Sequence, residues 1–107
     1  MVDLTGKETG DEIVALRRKA SGHPSLLLNR RAVAEFLRRC ADGELSASEL
    51  TLIANELEAT DEIDYEAGAE ETIASVLFEV ASPEINQKAT PDRCATLIKS
   101  LASDDRT

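Results

Sequence analysis

Apolar residues along this chain recur at the spacing i, i+3, i+4, i+7, which gathers them on one face of a helix with about 3.6 residues per turn. Val33, Phe36, Leu37 and Cys40 form one such stripe, and Leu50, Ile53, Ala54 and Leu57 a second. Ile73, Val76, Leu77 and Val80 form a third, and Cys94, Leu97, Ile98 and Leu101 a fourth. Ile13, Leu16 and Ala20 make a shorter one near the start. The pattern predicts five helices, each with one face to bury.

Local signals set their limits. Helix one runs from about Asp11 to Ala20, with acids in its first turn, and Gly22 and Pro24 end it. Helix two covers Ser25 or Asn29 to Ala41, closed by Gly43. Helix three opens with SASE, in which Ser46 caps free backbone N–H groups and Glu49 reaches back to the cap. Helix four begins between Asp64 and Ala69 and stops at Ser82-Pro83. Helix five starts TPDR, with Thr90 as cap, Pro91 where its missing N–H costs nothing, and Asp92 near the positive end of the helix dipole.

No stretch alternates apolar and polar residues long enough to predict a strand, and the Asp42-Gly43 pair separates helical patterns rather than hairpin arms. Helices of this length are marginal alone in water, so the expected fold is all-α: one compact single-domain bundle of about five short amphipathic helices. A chain of 107 residues has apolar surface for one core, here drawn mainly from aliphatic side chains, since Phe36, Phe78 and Tyr65 are its only aromatics. Residues 1–9 and 103–107 carry no helical stripe and are expected to be disordered.

Charge changes the picture. The net charge is -9, but it is unevenly spread. Residues 1–39 hold eight basic and five acidic side chains, residues 40–87 hold thirteen acidic and no basic ones, and residues 88–107 come to +1. Binding a nucleic acid requires cations that displace counterions from phosphate, so the acidic middle excludes a nucleic-acid surface there. The clusters Arg17-Arg18-Lys19 and Arg30-Arg31 could touch phosphate but read as solvated helix faces. The longest aliphatic run, Leu26 to Leu28, is far too short for a membrane span, and no leader pattern opens the chain. With only Cys40 and Cys94, which are 54 residues apart, a disulfide framework is not expected, and the reducing cytoplasm is the expected location.

Candidate chemistry is sparse. His23, the single histidine, stands in the loop SGHP with no nucleophile placed against it by local spacing, so no catalytic residue is assigned. Cys40 takes the last place of one apolar stripe and Cys94 the first of another, and both read as small buried hydrophobes. A calcium loop of EF-hand type fails in both registers. From Asp61 its third and fifth positions fall on Ile63 and Tyr65, and from Asp64 its fifth and sixth fall on Gly68 and Ala69. No metal or cofactor is expected.

What remains is LEATDEIDYEAGAEE, residues 57–71. Together with Glu56 it carries Glu58, Asp61, Glu62, Asp64, Glu66, Glu70 and Glu71 across the junction of helices three and four. Such acids keep a protein soluble. Two of them, Glu56 and Glu58, also oppose the dipole at a helix C-terminus, and Tyr65 interrupts the run with an apolar body and a hydroxyl. That combination fits either an acidic interface anchored by Tyr65 or a tyrosine packed over the core at a helix start.

The segments FLRRCADGELSASELTLIANELE, DEIDYE and TIASVLFEVASPEIN resemble small acidic helical immunity proteins of bacterial toxin systems, those of contact-dependent growth inhibition or of colicin type. The resemblance covers about residues 33–101. It implies a cytoplasmic inhibitor of a cognate toxin domain, frequently a nuclease, with Glu56 to Glu71 as the interface and Tyr65 as its anchor. The alternative is an acidic helical adaptor or a homodimeric structural or regulatory protein without a toxin partner.

Overall fold

The structure, a computed structural model, describes residues 2–20, 26–60, 63–82 and 90–103. Five helices appear where the periodicity places them: α1 (Gly10–Ala20), α2 (Arg30–Ala41), α3 (Ala47–Glu58), α4 (Glu70–Ala81) and α5 (Pro91–Ser103). Their starts follow from side-chain caps. Thr9 and Glu12 form a reciprocal box, each backbone N–H donating to the other's side chain at 3.1 Å. Asn29 Oδ1 accepts from the Ala32 N–H at 2.7 Å, which fixes the start of α2 at the later of its two expected positions. Ser46 Oγ accepts from Glu49, and Thr90 Oγ1 accepts from Arg93. The Glu49 carboxylate turns outward instead, to the Gly10 N–H at the start of α1.

Three short strands are added to this bundle: β1 (Val2–Asp3), β2 (Leu26–Leu28) and β3 (Ile63–Tyr65). They form one parallel sheet in the order β1-β2-β3, in which Leu26, Leu27 and Leu28 pair with Ile63, Asp64 and Tyr65. The expectation of no strands is corrected here. With two or three residues each, these strands are too short to alternate, and Leu26 and Leu28 are both buried, so β2 reads as a bare apolar run.

Residues 2–9 of the segment 1–9, expected to be disordered, are built into the fold, and Met1 lies outside the described residues. Val2 and Asp3 pair with Leu26 and Leu27, Leu4 donates to Leu27 O at 2.9 Å, and the Leu4 side chain is buried. Beyond it, Glu8 folds back to accept from the Thr5 and Gly6 N–H groups, and Arg39 of α2 donates to the Gly6 and Glu8 carbonyls at 2.8 Å each. Four backbone groups of this irregular segment find protein partners in this way. Ser103 ends α5, and residues 104–107 lie outside the described residues.

α2 packs chiefly on α5, α3 on α4, and α1 on α3. One core runs through all of them, from Leu4, Leu26 and Leu28 at the sheet to Ile13, Leu37, Ile53, Leu57, Ile73, Cys94 and Leu101 on the helices. No helix among the described residues is long and apolar enough to cross a membrane.

Candidate functional site

β3 carries the centre of the acidic segment, and its position explains which of those residues face outward. Its pleat turns Ile63 and Tyr65 toward the core, where both pack, and leaves Asp64 exposed on the other side. The sheet order places β3 at an edge, so Asp64 is an exposed carboxylate on an edge strand. Glu58 ends α3, and its charge, together with partial burial, raises the Tyr65 hydroxyl above its ordinary pKa, burial being the larger cause. Glu58, Glu70 and Glu71 are exposed, and Glu56 is half-buried. Asp61 and Glu62 lie outside the described residues, as does His23.

Glu66 is the exception. Its Oε1 accepts from the Arg30 backbone N–H at 3.0 Å, while Oε2 accepts from the Arg30 guanidinium through Nε at 3.0 Å and NH2 at 2.6 Å. One carboxylate therefore supplies an N-terminal backbone acceptor for α2 and an ion pair, and ties the end of β3 to that helix. The guanidinium bond and then the backbone bond hold its carboxyl below the usual range. A second strut, Glu66 N–H to Leu28 O at 3.0 Å, fixes the same corner. Glu66 is thus occupied within the fold, and its charge is largely neutralised before any partner arrives.

Two acids at the start of α4 differ in setting. Glu70 folds back to accept from the Gly68 N–H at 2.8 Å. Glu71 faces a polar cleft between α4 and α5, together with Ser75, Glu79 and Ser100. Arg93 donates to Glu79 at 2.6 Å beside it. Tyr65, meanwhile, packs over the core from a strand, not from a helix start. Of the interface expected from the sequence, Glu58, Asp64, Glu70 and Glu71 are thus the exposed described acids, with Asp64 on the edge strand itself.

A feature without a local sequence signal opens at the corner of Arg30 and Glu66, with Glu66 on its lining. Asn29, Arg30, Arg31 and Ala34 at the start of α2 face Ile98, Leu101 and Ala102 at the end of α5 across an open cleft of about 370 Å³. It lies beyond the carboxyl ends of β2 and β3, where parallel sheets commonly place their crevices. No local signal joins residues so far apart in sequence. Among the described residues no three His, Cys, Asp or Glu side chains converge in a group able to hold a metal ion.

Compared with known protein families, curated proteins and solved structures, the chain matches none.

Proposed function

We propose that this protein is a binding protein for a basic protein partner, of the immunity type, which neutralises a toxin domain through the acidic rim around β3. The observation that carries this reading is charge segregation: thirteen acids and no cation between residues 40 and 87, in a chain whose first 39 residues are net positive. A toxin that cuts nucleic acid must present cations to phosphate, and such a surface is complementary to this rim. Carboxylates on the rim speed encounter and fix orientation more than they add affinity.

The contact is assigned to Glu58, Asp64 and Glu70, with Glu56, Asp61, Glu62 and Glu71 flanking it. Glu66 and Tyr65 act from behind, as the residues that hold β3 in place. Reversing Glu58, Asp64 and Glu70 to lysine is expected to abolish rescue of cells that express the cognate toxin, with helical content unchanged by circular dichroism. Undiminished rescue by the triple variant would remove the rim from the mechanism. Failure of the unaltered protein to rescue would remove the immunity reading itself.

A second reading is favoured by Phe78, which is 49 % exposed on α4, a large apolar area for a surface residue. It is that of a homodimeric adaptor, with α4 at the dimer contact. Phe78→Ser is then expected to convert a dimer to a monomer in sedimentation equilibrium. A wild-type protein that sediments as a monomer at high concentration ends this reading.

A further inference from the structure

α2 and α5 run antiparallel. The cleft at one end of the pair sets Arg30, Arg31 and Ala34 of α2 against Ile98, Leu101 and Ala102 of α5. Moving up α2 is therefore moving down α5, and the last turn of α2 meets the first turn of α5. Cys40 and Cys94 occupy those two turns. Both pack at the α2–α5 contact, Cys94 inside the core and Cys40 against it, and neither is in a disulfide. Cys94 is fully buried, whereas Cys40 is half-buried at the edge of the core.

We propose that Cys40 and Cys94 are an oxidisable dithiol, whose disulfide staples α5 to α2 and closes a covalent ring around α3, β3 and α4. The ring contains the whole acidic rim, so the bond would fix the scaffold that carries it. This inference stands independently of any partner.

The chemistry is thiol–disulfide exchange with a low-molecular-weight disulfide such as oxidised glutathione. Cys40, the accessible thiol, loses its proton to solvent and attacks one sulfur of the small disulfide. The old S–S bond breaks, a mixed disulfide forms on Cys40, and the first small thiolate leaves and takes up a proton. Cys94 then loses its proton and attacks the Cys40 sulfur, releasing the second small thiol. Two protein thiols are oxidised to one disulfide, and one small disulfide is reduced to two thiols. Burial, with the neighbouring Cys40 as the lesser cause, pushes the Cys94 thiol up to about 11. Cys94 is therefore the resolving thiol and not the entry point.

The test treats the native full-length protein with oxidised glutathione and reads intact mass after alkylation. The expected product has lost both free thiols and two hydrogen atoms and retains no glutathione. Its melting temperature is expected to rise by on the order of 10 °C, because a ring of this size removes considerable freedom from the unfolded chain. Dithiothreitol should reverse both changes. Cys40→Ser should leave Cys94 unreacted, and Cys94→Ser should stop at one glutathione on Cys40. A wild-type product that keeps glutathione, forms a disulfide-linked dimer, or closes only in urea overturns the proposal. An unchanged melting temperature does the same.

Discussion

Replacing Gly6 by alanine is expected to destabilise the protein by about 3–5 kcal/mol, a large part of the stability of a domain this size. Two causes add. Gly6 has φ +88°, a conformation that a residue with a Cβ enters at a penalty of about 1 kcal/mol. The added methyl would also lie 2.4 Å from the Ala32 carbonyl oxygen and 2.5 Å from Glu35 Cβ. The first of these is helix backbone and cannot rotate away, so the loop must lift from α2. Lifting it strains the bonds that Arg39 donates to the Gly6 and Glu8 carbonyls, and behind them the pairing of β1. Urea unfolding measures the loss. Gly43 and Gly68 are internal controls, since both have φ +87° with open space around them, and alanine there should cost only about 1 kcal/mol. Equal losses at all three positions would show that backbone conformation alone, and not the close approach to α2, sets the value.

Gly6 also marks the boundary between what local patterns reveal and what they hide. The stripes at Leu50, Ile53, Ala54 and Leu57 and at Ile73, Val76, Leu77 and Val80 are buried as their spacing requires, because a helix buries a face that its own sequence writes. The strands are different. Val2 and Leu26 are neighbours only after the chain has crossed over through α1, and Ile63 joins them after α2 and α3. Two or three residues cannot announce a pairing of that range, and the stabilising partner of each strand is elsewhere in the chain.

The candidate site divides along the same line. Its charge was legible, because a run of acids without cations is a property of composition. Its internal division was not. Tyr65 and Glu66 look like members of the acidic segment, yet the pleat of β3 turns Tyr65 inward, and Arg30, 36 residues earlier, claims Glu66. The Thr9 and Glu12 capping box is written in the local sequence TGDE, directly before the stripe of α1. Asn29 is one of two starts that the sequence leaves open for α2, and only the structure selects it as the cap.

Glu66→Ala is the variant that separates holding the fold from meeting a partner. It removes three hydrogen bonds that involve a charged group and leaves the Arg30 backbone N–H without that acceptor, and at pH 7 it is expected to cost about 2–3 kcal/mol. Both side chains are more than two-thirds covered, 22 % and 29 % exposed, so solvent screens this pair less than a surface bridge. The folded carboxyl titrates below its ordinary value of 4.5, so its contribution is fully present above that value and is lost as pH falls through the folded one. The difference in unfolding free energy between wild type and variant should therefore be constant from neutral pH down to about 5 and shrink below 4. Glu66→Gln keeps an acceptor for the backbone N–H but not the charge, and should lose about half as much. A difference that does not change between pH 7 and pH 3 would show that the carboxylate acts by packing alone. Because Arg30 already neutralises Glu66, the proposed immunity function further predicts that the glutamine variant rescues toxin-expressing cells as fully as the unaltered protein, while the triple reversal at Glu58, Asp64 and Glu70 does not. Loss of rescue in a folded Glu66→Gln protein would move the contact from the outer rim of β3 to the corner where β3 meets α2.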